Sequence, residues 1–263
     1  MTDSMTPPVF HRLARPGLPD LAYEHISGQG PLIVWLCGFR SDMGGTKAEH
    51  LAQAARRRGA HFLRFDYRGC GRSEGEFIQA GIGPWLADTL DMIDSASRGP
   101  VVLVGSSMGG WLALLAARAR SERVKAMTLI APAPDFTARL MWPDLPEEAR
   151  NAIDQQGVWL QPSAYGEGPY PISKFLIQDG ENHLLLHAPI AFGGPVRILH
   201  GLADPDVPWG LTLELAERLT SEDVEITFVK NGDHRLSSRP NLKLLEDTVF
   251  AMAEAISALP PRP

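Results

Sequence analysis

The sequence predicts an α/β fold with a mostly parallel, eight-stranded sheet covered by helices on both faces. Continuous apolar runs of strand length alternate with segments of helical length along most of the 263 residues. Such runs are typical of parallel strands that are buried on both faces. The alternation stops over residues 134–194 and then resumes. This interruption indicates one domain, residues 1–263, with a cap inserted between two strands of its sheet.

The composition argues against several classes of partner. The formal net charge is −6 and the isoelectric point is about 5.8, whereas nucleic acids and anionic membranes bind clustered basic surfaces. Two cysteines, Cys37 and Cys70, form no disulfide framework and suit a reducing compartment. Residues 1–8 are polar, and no apolar run is long enough to span a bilayer. We therefore expect a cytoplasmic protein that binds no nucleic acid and inserts stably into no membrane, in an oligomeric state that the sequence does not specify.

The sheet is expected to begin with an antiparallel hairpin of two short edge strands, because a Pro-Gly-Leu-Pro turn separates the first two mixed segments. Its eight strands are predicted at residues 9–14, 21–26, 31–37, 61–66, 101–104, 124–130, 195–200 and 224–230. The helices that connect and follow them are predicted at residues 47–58, 84–95, 111–118, 209–219 and 240–258.

Residues 134–194 contain only short helical patterns, at 146–156 and 172–178. Four aromatic residues alternate with prolines in this stretch: Trp142, Trp159, Tyr165 and Tyr170. An insertion at this point of a parallel sheet lies over the carboxyl ends of the strands. The aromatic residues suit an apolar ligand and equally suit the packing of any cap on a sheet edge.

A serine stands between the fifth predicted strand and the helix that follows it, in the pattern Gly105-x-Ser107-x-Gly109. The pattern alone is common in chains of this composition. Its position on a strand-to-helix turn is what the chemistry requires, since a sharp turn exposes the hydroxyl at the carboxyl edge of the sheet. We therefore predict that Ser107 is a nucleophile.

A serine nucleophile needs a base, and the base needs an acid that fixes its tautomer. In this topology both follow the nucleophile, each in a loop after a later strand, with the acid first. His234 follows the last predicted strand and is the predicted base. Asp204 follows the preceding strand and is the predicted acid, with Asp206 and Asp135 as alternatives.

The tetrahedral intermediate also needs two backbone N–H donors directed at its oxygen. The residue after the nucleophile, Met108, and the loop after the early central strand, at Phe39, are expected to supply them. The neighbouring Arg40 is an alternative residue to supply or flank the second donor, and a surface ion pair is as well supported for it as a contact with the ligand.

Three further residues have functional types but no functional pattern around them. Cys37 is expected to be a small buried apolar side chain. His183 and His187 lie in the predicted cap without a set of cysteines or carboxylates around them, so we expect packing or solvent exposure. The sequence predicts neither a metal nor a cofactor.

These motifs occur in an order that resembles the α/β-hydrolase superfamily, and the resemblance extends over residues 31–250. It rests on residues 105–110, on the Phe-Asp-Tyr-Arg-Gly-Cys-Gly-Arg-Ser run at 65–73 and on the loops of Asp204 and His234. Residues 36–47, 157–159, 184–187 and 207–209 look like those of the abhydrolase-domain acyl-protein thioesterases. The resemblance implies Ser107 as nucleophile, Asp204 as acid and His234 as base, with acyl esters or acyl thioesters as substrates.

The sequence therefore predicts a serine hydrolase that cleaves the acyl ester or thioester of a small molecule or of an acylated protein, without a cofactor. A peptidase of the same fold is one alternative. A non-catalytic ligand-binding protein is another, because a fold does not determine a function.

Overall fold

Eight strands form one sheet in the spatial order β1-β2-β4-β3-β5-β6-β9-β10, and β7 and β8 form a separate hairpin. A computed structural model of the chain describes residues 8–162 and 168–258. The strands are His11–Leu13 (β1), Leu21–Ile26 (β2), Gln29–Leu36 (β3), Ala60–Phe65 (β4), Val101–Ser106 (β5), Val124–Ile130 (β6), Val158–Gln161 (β7), Tyr170–Ser173 (β8), Val196–Gly201 (β9) and Val224–Val229 (β10).

The helices flank this sheet. They are Thr46–Arg58 (α1), Ile82–Ala96 (α2), Met108–Ala119 (α3), Trp142–Asp144 (α4), Glu147–Gln156 (α5), Lys174–Glu181 (α6), Gly210–Arg218 (α7) and Arg239–Ser257 (α8). A 3-10 turn covers Phe77–Gln79, and a π-helix over Thr137–Met141 runs directly into α4. Helix α1 packs beside α8 and α2 packs beside α3.

The predicted fold class is confirmed. The first two strands pair antiparallel, β2 pairs antiparallel with β4, and the other strands of the large sheet are parallel. Every residue of the central strand β5 is buried, because this strand lies between β3 and β6 with helices over the sheet. Parallel strands have their carboxyl ends at one edge of the sheet, so loops that follow different strands converge there.

The connection between β6 and β9, residues 131–195, differs in part from the prediction. The helix predicted at 146–156 is present as α5, whereas the segment predicted to be helical at 172–178 begins as strand β8 and becomes helix α6 only at Lys174. The hydroxyl of Ser173 accepts a hydrogen bond from the N–H of Leu176 at 3.0 Å and so caps this helix. Strand β8 pairs with β7 to form a hairpin that no sequence pattern indicated.

Two smaller differences concern helix starts, and some predictions lie outside the described residues. Helix α2 begins two residues before the predicted start, and α3 begins at Met108, immediately after the predicted nucleophile, instead of at Trp111. Tyr165 and most of the polar amino-terminal stretch lie outside the described residues.

Candidate active site

Ser107 lies on the sharp turn between β5 and α3. Its backbone angles are φ 55° and ψ −119°, on the positive-φ side that costs an L-residue energy. Its N–H donates to the carbonyl of Ile130 at 2.9 Å. A Cβ atom on Gly109 would lie 2.1 Å from the carbonyl oxygen of Leu36, so only glycine lets α3 approach β3 this closely. The backbone therefore presents the Ser107 hydroxyl at the carboxyl edge of the sheet.

The loops after β9 and β10 bring Asp204 and His234 together. His234 Nδ1 lies 2.8 Å from Asp204 Oδ2. The other carboxylate oxygen of Asp204 accepts hydrogen bonds from the N–H groups of Asp206 and Val207, at 2.8 and 2.9 Å. The Asp204 side chain is fully buried, whereas His234 is partly exposed. Hydrogen bonds to both carboxylate oxygens therefore hold Asp204 in place, and the partly exposed His234 contacts it from the side of the solvent.

The surroundings of Asp204 keep it ionised. Burial on its own raises the pKa of the Asp204 carboxyl, but hydrogen bonds from His200, His234 and the Val207 N–H outweigh burial and hold that pKa well below its usual range. A carboxylate that only accepts hydrogen bonds requires a proton on His234 Nδ1. In a neutral imidazole this leaves Nε2 as the basic atom.

A second histidine, His200, contacts Asp204 from inside the protein, and sequence reasoning missed it. It lies at the end of β9 with no exposed surface. Its Nε2 is 3.2 Å from Asp204 Oδ2 and 3.0 Å from the carbonyl oxygen of Val207, and its Nδ1 is 2.7 Å from Thr212 Oγ1. Both neighbours of Nε2 are acceptors, so Nε2 carries the proton and, in the neutral ring, Nδ1 accepts from the Thr212 hydroxyl.

The spacing His-Gly-x-x-Asp was the available signal for His200. This spacing places the histidine four residues before the predicted acid, near the end of the buried strand β9.

Ser107 and His234 line one cavity of about 740 Å³. Among the hydrogen bonds of the described residues, none joins the Ser107 hydroxyl to the imidazole. Catalytic hydrogen bonds are often long before substrate binds and shorten in the complex. One wall of the cavity comes from the β6–β9 connection, through Ala133, Phe136, Leu140, Met141, Asp144, Leu145, Gln161, Tyr170 and Ile172.

The two backbone N–H groups predicted to bind an oxyanion lie beside the same turn. Met108 is the first residue of α3, where a backbone N–H has no partner within its own helix. Phe39 lies in the loop after β3, and a Cβ atom on the preceding Gly38 would be 3.4 Å from Ser107 Cβ. Among the hydrogen bonds formed within residues 8–162 and 168–258, none uses the N–H of Phe39 or Met108 as donor. Both donors are therefore available to a ligand.

The two alternative acids, Asp206 and Asp135, make no hydrogen bond to His234 among the described residues. The Asp206 side chain is exposed at the rim of the cavity, and its backbone N–H supports Asp204. Asp135 is buried with φ 58°, and its two oxygens accept the N–H groups of Leu185 and Leu186 at 2.8 and 2.9 Å. Its carboxylate therefore fastens the beginning of the β6–β9 connection to a point 50 residues later.

Cys37 is buried, and burial raises the pKa of its thiol well above the ordinary value, so it is a poor nucleophile. In the β6–β9 connection, His183 lies 3.7 Å from an Asp179 oxygen and its carbonyl accepts a hydrogen bond from the Trp111 indole at 3.1 Å.

The side chains of Asp204, Asp206 and His234 lie close enough together to offer three ligand atoms to a cation. Two of these three residues are already hydrogen-bonded to each other.

Three basic side chains line the cavity: Arg40, Lys47 and Arg235. The Arg40 guanidinium lies over the Tyr170 ring, 3.6 Å from its centroid. Lys47 on α1 donates a hydrogen bond from Nζ to the carbonyl of Arg235, in the loop that carries His234. Burial lowers the pKa of Lys47 to about 8, against the opposing effect of Asp233. No helix in the described part of the chain is both long enough and apolar enough to cross a bilayer.

Comparison with known proteins places these features in a family. The sequence pattern of the family described as serine aminopeptidase, S33, matches residues 32–171, more than half of the chain. The palmitoyl-protein thioesterase ABHD10, mitochondrial, of Bos taurus is 40% identical over 248 residues, which are 94% of this chain and 81% of that protein. The human protein of the same name has the same identity and coverage.

Two solved structures are similar as well. A putative hydrolase from Agrobacterium vitis S4 has a TM-score of 0.89 with 36% identity, over 94% of this chain and all of the other. The mouse α/β hydrolase domain-containing protein 10 has a TM-score of 0.86 with 39% identity, over 95% of this chain and all of the other. The chain thus belongs to the α/β-hydrolase family, in the group that contains the ABHD10 proteins.

Proposed function

We propose that this hydrolase cleaves acyl thioesters and acyl esters through an acyl-enzyme on Ser107. The observation that carries the proposal is the Asp204–His234 pair, which lines the same cavity as a serine held on a strained strand-to-helix turn. The ABHD10 relatives, which are named palmitoyl-protein thioesterases, support thioesters as substrates.

In the proposed reaction, Ser107 Oγ attacks the acyl carbonyl carbon while His234 Nε2 takes the hydroxyl proton. The N–H groups of Phe39 and Met108 bind the oxygen of the tetrahedral intermediate. The intermediate collapses to the acyl-enzyme as the thiolate or alkoxide leaves with the proton from His234. Water, deprotonated by His234, then releases the carboxylic acid. Asp204 holds the imidazole and stabilises its cationic form throughout.

We also propose that residues 134–194 act as a cap of a single domain, because they supply one wall of the cavity that holds Ser107. A small-molecule thioester or an acylated protein would bind between this cap and the sheet edge. The free cysteines Cys37 and Cys70 suit a reducing compartment, and the cytoplasm is the compartment that we propose.

The first experiment labels wild type and Ser107→Ala with a fluorophosphonate and measures the hydrolysis of matched thioesters and oxygen esters with acyl chains from acetyl to palmitoyl. We expect labelling of wild type alone, and a loss of kcat in Ser107→Ala of at least about 10³-fold. His234→Ala should lose a similar factor, and the double variant should lose little more, because the two residues act as a unit. Equal labelling of both proteins, or additive losses, would contradict the proposed nucleophile and base.

A peptidase is the second candidate, and the family match to serine aminopeptidases favours it. Exposed carboxylates at the cavity rim, Asp144 and Asp206 among them, would suit a substrate amino group. Aminoacyl 4-nitroanilides are the discriminating substrates. Faster cleavage of these anilides than of any thioester or ester would favour the peptidase. Well-folded protein without labelling or turnover would favour the non-catalytic ligand-binding alternative.

A further inference from the structure

Arg40 occupies a prominent position in the cavity and has no role in the proposed reaction. It directly follows Phe39, the proposed oxyanion donor, and it is partly buried. Together with Tyr170 it lines both the cavity of Ser107 and a neighbouring cavity of about 260 Å³. The remaining wall of the smaller cavity includes Cys70, Phe77 and the exposed Asp42, which also lines the main cavity. The guanidinium therefore lies where the two cavities meet.

The charge of Arg40 is not neutralised by an acidic partner. Among the described residues, no carboxylate forms an ion pair with it, so the ion pair that the sequence allowed is not formed. Carboxylates that line the main cavity are exposed, and two of them bond to their own loops: Asp42 accepts the Gly44 N–H and Asp233 accepts the Leu236 N–H. A partly buried cation without a counter-ion costs free energy that a bound anion would recover.

The contacts of Arg40 orient it for binding. The guanidinium lies over the Tyr170 ring and also donates a hydrogen bond to the Tyr170 hydroxyl. A guanidinium has five N–H donors, so the others can donate to a ligand. Its backbone has φ 57°, a conformation that costs a non-glycine residue energy and is concentrated at ligand-binding sites. A planar guanidinium fixed in this way matches the two oxygens of a carboxylate.

We propose that Arg40 and Tyr170 form a carboxylate-binding subsite, and that the preferred substrates are acyl thioesters or esters with a carboxylate a few bonds from the scissile carbonyl. The inference rests on the proposed hydrolase function and adds the substrate class. The smaller cavity has room for the few atoms that carry the carboxylate. A phosphate group is also an anion that binds arginine, but it is not planar. It therefore serves as the comparison for the carboxylate.

The test compares matched substrates on wild type, Arg40→Leu, Arg40→Lys and the control Arg118→Leu, whose arginine is exposed on α3. One arm pairs neutral and ω-carboxylated acyl groups on the same thiol. A second arm pairs a butanoyl thioester of ethanethiol with that of 3-mercaptopropionate, and a third uses 2-mercaptoethyl phosphate as the thiol. The measured quantity is the ratio of kcat/KM for the anionic substrate to kcat/KM for its neutral partner.

We expect wild type and Arg118→Leu to favour the carboxylated substrate in the first or second arm, and to favour it over the phosphate. Arg40→Leu should lower that ratio by about tenfold to a hundredfold, which corresponds to the loss of a bidentate charge-assisted hydrogen bond. Arg40→Lys should retain part of the preference, because it keeps the charge without the planar fork.

An equal ratio in wild type and Arg40→Leu, or a wild-type preference for neutral or phosphorylated partners, would overturn the subsite. Competitive inhibition of wild type by glutarate, compared with inhibition by its neutral diamide, tests the subsite without a variant. Equal inhibition constants for the two compounds would also overturn the subsite. Failure of the proposed hydrolase function has a different signature, since wild type would then show neither fluorophosphonate labelling nor turnover of any substrate.

Discussion

His200 determines how Asp204 can act on His234. The oxygen of Asp204 that accepts from His234 also lies 3.2 Å from His200 Nε2, so one carboxylate oxygen has two imidazole neighbours. A second donor withdraws electron density from the carboxylate and makes it a weaker acceptor for His234. His200 therefore weakens the hydrogen bond between Asp204 and the proposed base while it fixes the orientation of Asp204.

Replacing His200 by Phe tests this effect of the second donor. Without the second donor, Asp204 stabilises the His234 cation more strongly, so the acidic limb of the kcat/KM profile should move to higher pH. His200→Gln places an amide N–H near the position of Nε2 and should restore much of the wild-type limb. The measurement is kcat/KM against pH for the three proteins. A lower melting temperature with an unmoved limb would mean that His200 acts on stability alone.

At the scale of elements, α1 supports the loop that carries His234. Lys47 on α1 donates to the carbonyl of Arg235, the residue that follows the proposed base. Because burial lowers the pKa of Lys47 to about 8 from an ordinary value of 10.5, the unfolded chain binds more protons at this site between those two pH values. Stability then rises with pH in this window, because the folded state has already released the proton.

The predicted consequence concerns Lys47→Met, which has no proton to release. Wild type should gain stability relative to this variant as pH rises from about 8 toward 10.5. Urea unfolding of both proteins across this range isolates Lys47, since the other titrating groups are common to the two. Parallel stability curves would refute the lowered pKa. The variant should also lose kcat, because the loop of His234 loses an anchor.

Element boundaries also show what sequence patterns can and cannot determine. The apolar runs of β3, β5, β6 and β9 are buried on both faces, so composition alone locates them. The hairpin of β7 and β8 is short and only partly buried, and its pairing depends on packing against neighbours distant in sequence. The helical pattern at 172–178 was wrong at its start for the same reason.

At the scale of the whole molecule, one buried carboxylate joins three separate parts of the chain. Asp88 on α2 is fully buried and accepts from Arg15 Nη1 at 2.6 Å, from Arg68 Nε and Nη2 at 2.8 and 2.6 Å, and from the Arg68 N–H at 2.8 Å. Arg15 lies in the turn between β1 and β2, and Arg68 lies in the loop after β4. The edge hairpin, the main sheet and α2 are thus fixed to one another.

Asp88→Ala should lower the free energy of unfolding by about 3–5 kcal/mol, because Arg68 would lose its carboxylate partner and Arg15 would keep only the exposed Asp91. Asp91→Ala is the matched control. Asp91 also contacts Arg15, at 3.1 Å, but its side chain is 45% exposed, so the expected loss is below about 1 kcal/mol. Chemical denaturation measures both. Similar losses of unfolding free energy in the two variants would contradict the conclusion that the buried contacts of Asp88 stabilise the fold more than the exposed contact of Asp91.

The residues of the candidate site were easier to predict from the sequence than the buried residues that hold them in place. Ser107, Asp204 and His234 follow strands whose order the sequence shows, so their convergence at one edge follows from topology. His200 and Asp88 were not predicted, because a buried polar residue is recognised only by its partners, and those partners lie in other elements. For Arg40 the sequence allowed a surface ion pair, and the described residues provide no carboxylate that forms one; its contact with a ligand stays a proposal.

The hydrogen bonds of Asp135 have an entropic consequence for ligand binding. They join positions 50 residues apart, and closing a flexible loop of that length costs about 3.5 kcal/mol of chain entropy. The chain loses this entropy when it folds, before a ligand binds. A ligand in the cavity therefore meets, in the described part of the β6–β9 connection, a wall that is already ordered, and its binding energy is not spent on ordering that part of the chain.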